Sequence, residues 1–111
     1  MAVELNGFSP AEEAMIGIAL QALEGVGYDT SLLQVLIRAD MPAGYRGMSL
    51  DDGAALGAEA FASQEWLVHV IEEEYLHLVQ KSQGKAGTFA PDTALELELD
   101  VNDQRRFPAP G

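Results

Sequence analysis

Both histidines of the chain and three consecutive glutamates fall within one nine-residue stretch, His69-Val70-Ile71-Glu72-Glu73-Glu74-Tyr75-Leu76-His77. Imidazole and carboxylate move protons near neutral pH and bind divalent metals, so acid–base and metal chemistry concentrate here. Glu65 to Ser82 contains neither Gly nor Pro and is rich in helix formers, which predicts one helix of about five turns. With a rotation of about 100° per residue, Leu67, Val70, Ile71 and Leu78 share an apolar arc that widens through Val68, Tyr75 and Val79. Glu74 falls inside that arc. Glu73 and His77 stack on its adjoining edge, about 40° apart, a spacing at which two side chains can grip one ion.

Glu73-Glu74-Tyr75-Leu76-His77 has the layout of the zinc-peptidase pattern H-E-x-x-H, with glutamate at the first ligand position. In that pattern the residues at i and i+4 bind zinc on one helix face, while the glutamate after the first ligand polarises the attacking water. The counterparts here are Glu73 and His77 as ligands and Glu74 as base. Carboxylate is an acceptable zinc ligand but weakens Lewis acidity and the preference for zinc, which leaves other divalent metals open. In an apolar arc Glu74 is expected to have a raised pKa, because desolvation penalises its charged form. A carboxyl moved toward neutral pH suits a general acid or base. The bland alternative sets Glu74 at the rim of the stripe, hydrogen-bonded to backbone. His69 precedes Glu73 by four, but angular drift over eight residues makes a His69/Glu73/His77 set a poorer fit than a pair. His69 is expected to face solvent as a bystander.

Several elements must position these groups. Ser9-Pro10-Ala11-Glu12 is a helix start with a capping box, and Met15, Ile16, Ala19, Leu20 and Leu23 recur at helical spacing until Gly25. Residues 10–24 are thus an amphipathic scaffold helix. Leu33 to Arg38 reads as a short buried strand, with a short helix as its rival. Turn chemistry at Pro42-Ala43-Gly44 and Asp51-Asp52-Gly53 suggests a hairpin of Tyr45–Leu50 against Ala54–Phe61; the alternative is a helix from near Ser49. Ala94 to Val101 alternates like a strand but is built of helix formers. Arg105 to Gly111 reads as a frayed end with Phe107 docked, residues 108–111 forming a flexible tail to a single domain over 1–107.

Composition narrows the function. Eighteen acidic against six basic residues give a formal charge of −12, which repels phosphate backbones and anionic membranes, so neither nucleic acid nor membrane is expected as partner. There is no cysteine, which excludes disulfides, thiolate zinc sites and cysteine nucleophiles. No apolar stretch approaches the roughly 20 residues that span a bilayer, and the N-terminus lacks a signal-peptide pattern. The chain reads as cytoplasmic as given, with export as part of a larger protein open.

Met48 to Asn102 resembles the small zincin-like metallopeptidase domains found as toxin-type modules. The resemblance covers about half the chain and rests on Gly57-Ala58-Glu59-Ala60-Phe61, Ser63-Gln64-Glu65-Trp66-Leu67 and Glu73-Glu74-Tyr75-Leu76-His77-Leu78-Val79-Gln80. It implies an edge strand ending in phenylalanine, a linker, the active helix with a glutamine after the last histidine, and an acidic third ligand on a downstream helix. Glu98 matches that ligand best, with Glu96 in reserve, and this favours helix over 95–100. The departure is Glu73, where the family has histidine. The implied fold class is α+β, with an N-terminal helix, a short antiparallel sheet, a long central helix and a C-terminal helix; an all-α bundle is the alternative. The implied function is peptidase-like hydrolysis with zinc held by Glu73, His77 and Glu98, Glu74 activating water, and a peptide or protein as substrate or partner. Two other readings stand beside it. Glu74-Tyr75-Leu76-His77 is also the E-x-x-H element of ferritin-like di-iron proteins, which an oligomer would have to complete. The charge alone supports a non-catalytic acidic module of the inhibitor or immunity type that covers a basic partner.

Overall fold

Ser9 opens the first helix by the mechanism its sequence predicts. Its Oγ accepts the Glu12 N–H at 3.1 Å, and the Glu12 carboxylate accepts the Ser9 N–H at 2.9 Å, closing the capping box. The computed structural model describes residues 3–82 and 104–110. Along them run β1 (Glu4–Asn6), α1 (Pro10–Gly25), β2 (Val35–Arg38), β3 (Gly47–Ser49), β4 (Gly53–Leu56) and α2 (Gln64–Ser82), with 3-10 turns at Thr30–Leu32 and Ala58–Phe61. The fold is mixed α+β. A four-stranded sheet of order β1-β2-β4-β3 takes the place of the all-α alternative.

The sheet is not the antiparallel one expected. β1 pairs with β2 and β2 with β4 in parallel, and only β3 and β4 run antiparallel. Two causes account for the difference. Glu4-Leu5-Asn6 is too short to announce itself by periodicity, yet α1 carries the chain over so that β2 returns alongside it in the same direction. The expected hairpin does form about Asp51-Asp52, where the Leu50 N–H bonds the Gly53 carbonyl at 2.9 Å. Its second strand leaves by Leu56, however, and turns into the 3-10 segment that ends at Phe61. β4 is therefore an interior strand between β2 and β3, not an edge strand running to phenylalanine.

β4 owes its position to small residues. Gly53, Ala54, Ala55 and Leu56 are all buried, and a Cβ on Gly53 would stand 1.7 Å from the Val35 carbonyl oxygen. Above the sheet, α2 lies over β3 and β4 and along α1. Ile16, Ala19 and Leu23 of α1 join Leu67 and Ile71 of α2 and Leu36 and Leu56 of the sheet in one fully buried core. Each such Leu or Ile stabilises the fold by about 1.5–3 kcal/mol. Among the described residues no helix is long and apolar enough to cross a membrane. The helix expected over 95–100, with Glu96 and Glu98, lies outside the described residues.

Two glycine substitutions should separate in sign. Gly53→Ala drives a methyl into backbone and should cost about 3 kcal/mol or more. Gly17→Ala, in mid-helix with nothing within 4 Å of the new methyl, should gain about 0.5–1 kcal/mol. Urea unfolding midpoints of the two variants measure both.

Candidate active site on the central helix

The central helix is buried on nearly every side. From Leu67 to Leu76 each residue except Glu73 is buried, so α2 takes polar side chains in with it: His69, Glu72, Glu74 and, further on, Gln80. Its start is set by Ser63, whose Oγ accepts the Trp66 N–H at 3.1 Å.

Glu72 is fully buried and was not singled out by its sequence. One carboxylate oxygen accepts the Tyr28 hydroxyl at 2.8 Å and the Arg106 N–H at 2.7 Å; the other accepts the Phe107 N–H at 2.9 Å. Burial, reinforced by the hydrogen bond and charge of Glu72, pushes the Tyr28 phenol up to about 12, which keeps it a donor at ordinary pH. The segment expected to fray is thus held at Glu72, and Phe107 packs against the core.

The same segment overturns the solvent-facing assignment of His69. Only 7% of His69 is exposed. Its Nδ1 lies 3.0 Å from the Phe107 carbonyl oxygen, and an Arg105 guanidinium nitrogen stands 2.7 Å from Nε2 and 2.8 Å from Nδ1. The carbonyl can only accept, so its contact takes a proton on Nδ1, while the Arg105 nitrogen lies beside both ring nitrogens. Arg105 also stands 3.8 Å from the Glu73 carboxylate. Its role was hidden because a tail arginine has no periodicity to place it.

Glu73 and Glu74 open on one cavity of about 350 Å³, walled also by Arg46, Gly47, Trp66 and His69. Glu74 is 5% exposed, and burial first, then the negative charge of Glu73, push its carboxyl up to about 8 against a weaker opposing pull from Lys81. Gly47 makes room for it: a Cβ there would fall 3.0 Å from Glu74 Oε2 and 2.9 Å from Val70 Cγ1. The expected raised carboxyl in the apolar arc is therefore present, beside Glu73.

His77 stands apart from that cavity's lining, half-buried, with Nδ1 3.2 Å from Gln80 Oε1. Among the described residues no three His, Asp or Glu side chains form a group that could hold a metal ion. Glu73 and His77 do offer carboxylate and imidazole on successive turns of one helix, a donor pair that suits zinc or another divalent ion. The raised Glu74 carboxyl owes more to burial than to the charge of Glu73, which already stands 3.8 Å from Arg105. No protein family, no curated protein and no solved structure matches the chain.

Glu72→Gln replaces one acceptor oxygen by an NH2 donor, which must face either the Arg106 N–H or the Phe107 N–H. It should destabilise the fold by about 3 kcal/mol and speed amide exchange at Arg106 and Phe107, which hydrogen-exchange NMR reads directly. Glu74 should set a pH dependence. Unfolded, it titrates near 4.5, and folded, near 8, so the native state retains a proton that the unfolded chain releases between those values. Stability from this group is full below pH 4.5 and should be lost as pH rises toward 8, by at most about 1.4 kcal/mol per pH unit. Glu74→Gln mimics the protonated acid and should flatten that slope in thermal melts taken across the window.

Proposed function

We propose that the chain is a peptidase-like hydrolase of the minimal zincin type, with the motif altered to E-E-x-x-H and Glu74 as its proton-transfer residue. The observation that carries the reading is a buried carboxyl, raised to about 8 and opening on the same cavity as Glu73. A group with that pKa is present in both protonation states near neutral pH, as an acid–base residue must be.

The roles are those the E-E-x-x-H motif assigns. Glu73 and His77, with Glu98 as the third donor, would hold a divalent cation. Such a cation, when bound, polarises a carbonyl and makes water more acidic. Glu74 then takes the proton of the attacking water at a carboxylate oxygen and passes it to the leaving amine. Neutralising Glu73 lowers the Glu74 pKa, because Glu73's charge is one of the two causes that raise it, and this puts more Glu74 in its basic form. β3 stands at the end of the sheet among the described residues, beside the cavity wall at Gly47. Its outer backbone groups can take an extended peptide as an added strand.

Protein purified without a histidine tag should carry about one zinc per chain by elemental analysis, a stoichiometry that follows from one three-ligand site. Glu73→Ala and His77→Ala should each lower zinc affinity. Glu74→Gln should abolish cleavage of a peptide library while leaving zinc content and far-UV circular dichroism unchanged. Two irons per pair of chains would point to the di-iron assembly instead. Protein that takes up no metal and cleaves nothing leaves the acidic partner-binding module, whose support is the net charge of −12.

A further inference from the structure

Among the described residues, Arg46 lines the cavity without an ion-pair partner. Its guanidinium carbon lies 3.8 Å from the centre of the Trp66 ring, and its Nε is buried with no hydrogen-bond partner among the described residues. Three other cations among the described residues are engaged. Arg38 pairs with Glu12 at 3.3 Å, the Lys81 ammonium donates to the Leu50 carbonyl at 3.0 Å, and Arg105 is shared between His69 and Glu73. A buried guanidinium nitrogen without an acceptor is costly to keep. Arg105 Nε carries the same cost, so what distinguishes Arg46 is its place in the wall of the cavity beside Glu73, where its outer N–H groups can meet an acceptor.

The surroundings define that acceptor. Trp66 is itself braced edge-on by the His69 ring at 5.4 Å, so the face on which Arg46 stacks is held in place. The backbone of Arg46 is tied down as well, its carbonyl accepting the Gly57 N–H at 2.9 Å. Stacking occupies the face of a guanidinium and leaves its edge, where paired N–H groups match the two oxygens of a carboxylate. One arginine balances one negative charge. A phosphate dianion would bring a second charge next to Glu73, without a second free cation among the described residues of the cavity wall to meet it.

We propose that Arg46, stacked on Trp66, is a carboxylate-recognition subsite that selects peptides bearing an acidic side chain, holding that side chain at one wall of the cavity while Glu73 and Glu74 form the other. That such a peptide is then cleaved rests on the hydrolase reading; that its carboxylate is recognised does not.

Trp66 is the only tryptophan of the chain and reports occupancy by its fluorescence. Metal-free full-length protein at pH 7 should be titrated with N-acetyl-Ala-Glu-Ala-amide and with its Gln counterpart. The Glu peptide should bind about ten- to a hundredfold tighter, the range expected for a charge-assisted bidentate pair. Arg46→Met should erase the difference. Arg46→Lys, which keeps the charge but not the fork, should retain only part of it, and inorganic phosphate should not displace the Glu peptide. Equal affinities for the two peptides, a preference that survives in Arg46→Met, or displacement by phosphate would each overturn the subsite. If Arg46→Met does not fold, the wild-type peptide pair and Arg46→Lys decide. Absence of zinc and of cleavage would sink the hydrolase reading while leaving the peptide preference intact, so the two failures are told apart.

Discussion

The buried carboxylate of Glu72 ties together three parts of the chain that lie far apart in sequence. A carboxylate wholly removed from water is tolerable only when its oxygens are filled by donors, and Glu72 draws these from Tyr28 and from the backbone at Arg106 and Phe107. Tyr28 in turn stacks on Tyr75 with ring centres 4.8 Å apart, and the Tyr75 hydroxyl accepts the Asp29 N–H at 3.0 Å. The link after α1, the central helix and the segment 104–107 therefore stand or fall as one unit. Arg105 precedes the two residues held at Glu72 and reaches His69 and Glu73.

A second constraint follows from the setting of α2, which lies on α1 and on the sheet and carries segment 104–107 as well. A helix covered on so many sides is normally apolar all round, whereas this one keeps His69, Glu72 and Glu74 inside. The three solve their burial differently. Glu72 gathers donors, His69 meets the Phe107 carbonyl and the Arg105 guanidinium, and Glu74 holds its proton up to about pH 8. The last solution leaves a group that titrates near neutrality next to open space. Gly47 is part of that solution, since any side chain there would press on the Glu74 carboxyl. In this sense the β3 backbone and the acid–base character of Glu74 are one feature.

Much of the scaffold was legible because its signals are local. The Ser9 capping box, the Gly- and Pro-free run of α2 and the turn at Asp51-Asp52 each act within a few residues, and each appears close to where its chemistry puts it. Strand direction was not legible. It depends on whether β2 finds β1 or β3 as neighbour, and a three-residue strand carries too little pattern to enter that choice. His69 was misassigned for a related reason. Angular position on a helix says which way a side chain points, but not whether another segment will cover it.

The sequence by itself determined which groups could do chemistry: Glu73 and His77 on successive turns, and Glu74 turned into an apolar arc, because helical periodicity follows from local residue types alone. Only the tertiary structure decided what those groups meet. It set Glu74 against Gly47, brought Arg105 to Glu73 and His69, and left Arg46 on Trp66 facing the same cavity. Burial and charge neighbourhood are sums over segments distant in sequence, and the pKa of a carboxyl or the availability of a guanidinium is set by those sums.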